Sequence, residues 1–148
     1  MSKSTQTEFR NRKASYDYFF LETWIAGIEL KGTEVKSIRA GKVQFADAWC
    51  AFMGNDLFIR ELHISEYDFG NLHNHDPRRP RRLLLKRAEL QKIRKKVQEQ
   101  GLTLIPVKLF INPRGLVKLE IALAKGKQTH DKRESIKEKD IRRDMERG

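Results

Sequence analysis

Between Arg78 and Lys96 the chain places ten basic residues and one acid. They run as Arg78-Arg79-Pro80-Arg81-Arg82, then Lys86-Arg87 after three leucines, then Lys92, Arg94, Lys95 and Lys96. Guanidinium groups fork onto phosphate oxygens and stack on bases, whereas ammonium groups act as point charges. A cluster this dense repels itself without a counter-charge, so phosphate contact suits it better than the alternative of a solvated helix face with a charged linker. Just upstream, Tyr67 and Phe69 carry rings that either stack on a base or pack beneath their own loop. The remaining charge is unevenly spread, with five basic and ten acidic residues between positions 17 and 77. The whole chain of 148 residues carries a formal +11, and its pI near 10.0 points to a polyanionic partner.

Other reactive side chains lack the company that chemistry requires. His73-Asn74-His75-Asp76, with His63 nearby, holds two histidines on one side of an extended segment. No cysteine or acidic motif completes a tetrahedral set, so hydrogen bonding within the loop or to phosphate is the expected role, and no metal or cofactor is expected. Cys50 lies in the apolar run Ala48-Trp49-Cys50-Ala51-Phe52 and reads as a small buried hydrophobe. No nucleophile elbow or phosphate-binding glycine loop occurs, and the acids Glu34, Asp47 and Asp68 have no spacing of an acid/base pair. Glu34 and Lys36 read as a solvent-facing pair. An RNA-processing enzyme using His73, His75 or His130 is the weaker catalytic alternative to a non-enzymatic RNA binder, and a general RNA chaperone is the broader binding alternative.

These groups must be held by elements of mixed kind. Residues 1–15 are polar and basic and read as a flexible arm. Tyr16 to Leu30 is rich in aromatic and β-branched residues, predicting a long strand bent near Gly27 that serves two edges of a sheet. Gly32 to Gly41 predicts a short helix with Val35 and Ile38 on one face. Val43 to Met53 and Leu57 to Ile64 predict two strands joined at Gly54-Asn55-Asp56, with pairing continuing from the first strand. Residues 65–82 read as a long irregular loop. Leu90, Ile93 and Val97 fall at helical spacing, predicting a helix from about Arg87 to Gln100 that stops at Gly101. Leu102 to Ile111 and Leu116 to Ala124 predict a hairpin about Asn112-Pro113-Arg114-Gly115. Together these predict a mainly β domain over 16–124, a small closed antiparallel OB-like β-barrel with accessory helices. Residues 125–148 alternate charges with sparse apolar positions and read as a basic tail, disordered alone and helical on a partner. No signal peptide or membrane-length apolar run appears, so a cytoplasmic monomer is expected.

The blocks Asn11-Arg12-Lys13-Ala14, Gly32-Thr33-Glu34-Val35-Lys36-Ser37-Ile38-Arg39-Ala40-Gly41, Asn74-His75-Asp76-Pro77 and Arg79-Pro80-Arg81-Arg82-Leu83-Leu84-Leu85 resemble the signatures of the SsrA-binding protein (small protein B) family. The blocks from Gly101 to Leu109, Ala124 to Lys127 and His130-Asp131-Lys132-Arg133 extend the resemblance to the C-terminus. The resemblance implies an OB-like barrel that binds the tRNA-like domain of transfer-messenger RNA and escorts it to stalled bacterial ribosomes in trans-translation. It places Asn11, Glu34 and Leu85 at family positions associated with that RNA, Leu85 as support. Arg79, Arg81 and Arg82 fall in its basic loop, and Arg12, Lys13 and Lys36 lie within its RNA-binding blocks. Lys125, Lys127, His130, Asp131, Lys132 and Arg133 match the tail that meets small-subunit ribosomal RNA near the decoding centre and enters the mRNA channel. Arg78, Lys86 and Ile141 depart from the family pattern.

Overall fold

The structure is a computed structural model, and it describes residues 7–69 and 74–128. In chain order it comprises β1 (Glu8–Arg10), α1 (Arg12–Asp17), β2 (Tyr18–Ile28), α2 (Gly32–Arg39), β3 (Val43–Gln44), β4 (Trp49–Met53), β5 (Asp56–Arg60), β6 (His63–Ile64), β7 (Arg81–Leu84), α3 (Arg87–Gln100), β8 (Thr103–Ile111) and β9 (Val117–Gly126). The expected mainly β architecture with accessory helices holds. The strands β8, β4, β5, β7, β2 and β9 follow one another as antiparallel neighbours, and β9 returns to β8, so the sheet closes into a ring. Between β4 and β8 the ring is joined at Cys50 and Leu104.

The ring encloses one apolar core. Along β2 the side chains alternate: Leu21, Thr23 and Ile25 face out, while Trp24, Ala26 and Ile28 are buried, the two-residue period of a half-buried strand. Ile59, Leu62, Leu109, Leu119 and Ile121 fill the interior. Helix α3 contributes Ile93 to the core, with Leu90 and Val97 packed against it. Its span matches the expectation, and Gly101 ends it in the left-handed conformation, φ +60, which glycine adopts without a Cβ clash. The β8–β9 hairpin is also as expected, closed by Gly115 N–H donating to the Asn112 carbonyl at 2.8 Å.

Several expectations are corrected. Residues 8–15, expected to belong to a flexible arm, lie in or between β1 and α1, and α1 runs on through Tyr16 and Asp17, expected in the first strand. Phe9 is buried beside β8, and Asn11 fixes the chain to the ring. Its Oδ1 accepts the Ala14 N–H that opens α1, while its Nδ2 donates to the Pro106 carbonyl at 2.9 Å, beside the irregularity between Pro106 and Lys108. Proline has no N–H for the ladder, and its carbonyl is taken up by Asn11.

The long strand begins at Tyr18, and its irregularity lies between Phe20 and Glu22. It does serve two edges. It pairs with β9 along its length and with β7 at Gly27 and Ile28, where a Cβ on Gly27 would sit 3.2 Å from that of Leu84. The two expected strands over 43–64 are four pieces, broken where Ala46 and Glu61 take positive φ. The hairpin between β4 and β5 turns as expected, but β2 does not pair with it. Residues 81 and 82, expected to end an irregular loop, instead open β7, which bridges β5 and β2 and without which the ring would not close. Finally, β9 continues through Gly126, so Lys125 belongs to the sheet rather than to a tail.

Candidate nucleic-acid interface

Helix α2 carries Glu34 at its third position, and its carboxylate Oε1 accepts the Lys31 N–H at 2.7 Å, capping the helix start. The same carboxylate receives two arginines: Arg79 Nη2 at 2.6 Å on Oε1, and Arg81 Nε at 2.6 Å on Oε2. Glu34 and Arg81 both have fully buried side chains. Arg81 spends its remaining donors on main-chain carbonyls, Nη1 on Leu62 at 2.5 Å and Nη2 on Pro77 at 3.2 Å and Asp76 at 3.4 Å. One guanidinium therefore ties together α2, the turn before β6, the loop before Arg78 and β7.

Burial alone would raise the Glu34 carboxyl, but the hydrogen bonds from Arg79 and the Lys31 N–H, with the Arg81 charge, outweigh it and hold the group below its ordinary range. Burial lowers the Arg81 guanidinium, partly countered by Glu34. These two charges can coexist in the interior only because each is paired and hydrogen-bonded.

The neighbouring signature Asn74-His75-Asp76-Pro77 is also architectural. His75 is buried, with its Nε2 2.8 Å from the Ile64 carbonyl, an acceptor, so that nitrogen carries the proton. Its Nδ1 then accepts the Thr33 hydroxyl at 2.9 Å. Asn74 exchanges two hydrogen bonds with the main chain of Tyr67, at 3.0 and 2.6 Å. His75 hydrogen-bonds, but not within its own loop as expected: its ring reaches Ile64 of β6 and Thr33 of α2, whereas His73 lies outside the described residues.

The remaining cations of the basic block divide sharply. Arg82 pairs with Glu29 at 2.6 Å and approaches Asp56 at 3.9 Å, and Arg78 approaches Glu61 at 3.9 Å. Lys92 and Lys96 both reach Glu22 of β2, whose carboxyl is lowered chiefly by the hydrogen bond from Lys96. Arg94 donates to the Gly54 carbonyl and lies over the Phe52 ring at 4.5 Å. Lys86, Arg87 and Lys95 are exposed and have no ion-pair partner among the described residues. The acids that meet the block all come from the acidic segment 17–77, so the segregation of charge along the chain is in large part an internal match. That complementarity is the signal sequence reasoning missed.

The predicted site residues are therefore not one surface. Asn11, Glu34 and Arg81 are buried and position others, which overturns the reading of Glu34 as solvent-facing and of Arg81 as a loop residue open to phosphate. Leu85 packs partly buried against the core. Arg79 and Arg82 retain partial exposure, 28% and 41% of their side chains. Arg12, Lys13 and Lys36 are exposed, Lys13 beside Asp47 at 3.1 Å. Lys13 and Asn11 line a cleft of ≈ 300 Å³ with Asp47, Trp49 and Thr103. Lys125 is exposed, and Lys127 donates its N–H to the Asp17 carbonyl and places Nζ 5.0 Å over the Phe19 ring. His130, Asp131, Lys132 and Arg133 lie outside the described residues. Cys50 is buried, which pushes its thiol pKa up and leaves it a core hydrophobe.

Comparison with known proteins finds close relatives over nearly the whole chain. Residues 8–148 match the model of the SmpB protein family. The SsrA-binding protein of Phocaeicola vulgatus is 50% identical over 145 residues, covering 98% of this chain and 97% of the relative. That of Cytophaga hutchinsonii is 53% identical over 138 residues, covering 93% and 90%. A solved chain described under "tmRNA-SmpB: a journey to the center of the bacterial ribosome" superposes with a TM-score of 0.70 at 45% identity, covering 88% of this chain and 95% of the other. On these grounds, the chain belongs to the SmpB family of SsrA-binding proteins.

Proposed function

We propose that this protein binds the tRNA-like domain of transfer-messenger RNA and delivers it to stalled bacterial ribosomes for trans-translation, making and breaking no bond itself. The observation that carries the reading is half-identity to SsrA-binding proteins over nearly the whole of both chains. The geometry supports it physically. The closed sheet, locked by buried polar contacts, carries helices that present Arg12, Lys13, Lys36, Arg87 and Lys95 to solvent, with Lys86 exposed at the start of α3. Exposed cations on helices mounted on a closed β scaffold suit recognition of a folded RNA by shape and backbone. The segment beyond Gln128, with His130, Asp131, Lys132 and Arg133, meets small-subunit ribosomal RNA near the decoding centre and enters the empty mRNA channel.

The test is a salt titration of binding to transfer-messenger RNA and, in parallel, to an ordinary tRNA. The reading predicts preference for the former that survives physiological salt. Equal affinities falling together with salt would reduce the protein to a general RNA binder. Truncation after Gln128, which leaves β9 whole, should spare RNA binding and abolish ribosome rescue. Loss of both activities would contradict the division of labour.

A further inference from the structure

Phe69 exposes 79% of its surface, the largest fraction among the exposed large hydrophobic side chains described. It meets Tyr67 edge-on, with ring centroids 5.5 Å apart and planes at 69°. Lys36, from the exposed face of α2, places its Nζ 5.3 Å from the Tyr67 ring centroid. The segment is held in place from behind, because Asn74 clamps the Tyr67 main chain on both its N–H and its carbonyl. Asp68, between the rings, is neutralised by Lys42 at 2.7 Å. A phenyl ring this exposed gains little for the fold beyond its edge contact with Tyr67. Its geometry instead favours a flat partner.

The chemistry narrows that partner. A flat π surface beside one ammonium, with the adjacent Asp68 paired to Lys42, complements an aromatic ring carrying an anion nearby. A nucleotide has both, with the base for the ring and the phosphate for the lysine. A membrane would need more apolar area than one ring supplies. We infer that Phe69, supported by Tyr67 and Lys36, is a stacking platform for one unpaired nucleobase of the bound RNA. The inference rests on the RNA-binding reading above and adds a base contact to it. Because the platform works by π surface rather than net charge, its contribution is nearly independent of salt, unlike that of the surrounding lysines.

The experiment measures the affinity of Phe69→Ala, Phe69→Leu and Phe69→Trp for transfer-messenger RNA at several salt concentrations, with the unfolding midpoint of each. Phe69→Ala should melt as wild type does and bind about tenfold more weakly at every salt concentration, with the salt slope unchanged. Phe69→Trp should restore affinity, and Phe69→Leu, apolar but without a π face, should not. Wild-type affinity in Phe69→Ala, or in Phe69→Leu, would overturn the stacking platform while leaving the RNA-binding reading in place. Failure of the wild-type protein to bind the RNA would overturn the reading itself and the platform with it.

Discussion

The two halves of the basic block, Arg78 to Leu85 and helix α3, are both rich in cations and place them differently. In the first, Arg81 vanishes into the interior against Glu34, and Arg79 joins it from the edge. In the second, Lys92 and Lys96 share Glu22 at the surface, Arg94 leans on Phe52, and Lys95 reaches into solvent. Composition cannot separate these fates, because both halves read as cations in search of phosphate. What separates them is strand register. As part of β7, Arg81 alternates with Arg82, so the first points inward beside buried Leu83 and the second outward toward Glu29. A cation facing inward must find its anion inside the protein.

The largest effect that could break this contrast comes from removing one member of the buried pair. Glu34→Ala should destabilise the fold by about 3–5 kcal/mol, because it strands a buried guanidinium. Chemical denaturation would measure the loss, and a change as small as that of a surface substitution would show that water reaches Arg81. An acid titration gives a smaller effect of defined sign. The Glu34 carboxyl is held below its ordinary value of 4.5 in the native state. Its contribution is therefore present above that value and is lost as the pH falls through the lower native one. Unfolding midpoints should decline below about pH 4.5 in wild type, and the gap to Glu34→Gln should narrow there. The smallest change is expected in α3. Lys92→Ala should leave the midpoint nearly unmoved, since Lys96 still reaches Glu22 and exposed pairs contribute little.

Much of the fold was legible in sequence where a pattern repeats or a turn residue is required. Leu90, Ile93 and Val97 gave α3 by their spacing, and Asn112 to Gly115 gave the last hairpin by its turn composition. The short strand β7 was not legible, because Arg81-Arg82-Leu83-Leu84 presents charge where a strand normally presents alternation, and its burial depends on an acid 47 residues away. The ordering of residues 8–17 was hidden for a related reason. One aromatic, Phe9, appears too little to hold a segment until Asn11 is seen closing onto Pro106 across 95 residues. Of the candidate site, Arg12, Lys13 and Lys36 are exposed. The resemblance pointed to Asn11 and Glu34 as well, but geometry makes them supports for the surface rather than parts of it.

That distinction can be measured as the slope of log affinity against log salt for transfer-messenger RNA, using wild type, Lys36→Ala, and Arg81→Gln at a temperature where its melt shows it folded. Lys36→Ala should bind with a slope shallower by about one, the signature of a lost phosphate contact, and Arg81→Gln should keep the wild-type slope. A shallower slope for Arg81→Gln would mean that this guanidinium meets RNA and that its burial against Glu34 is not the state that binds.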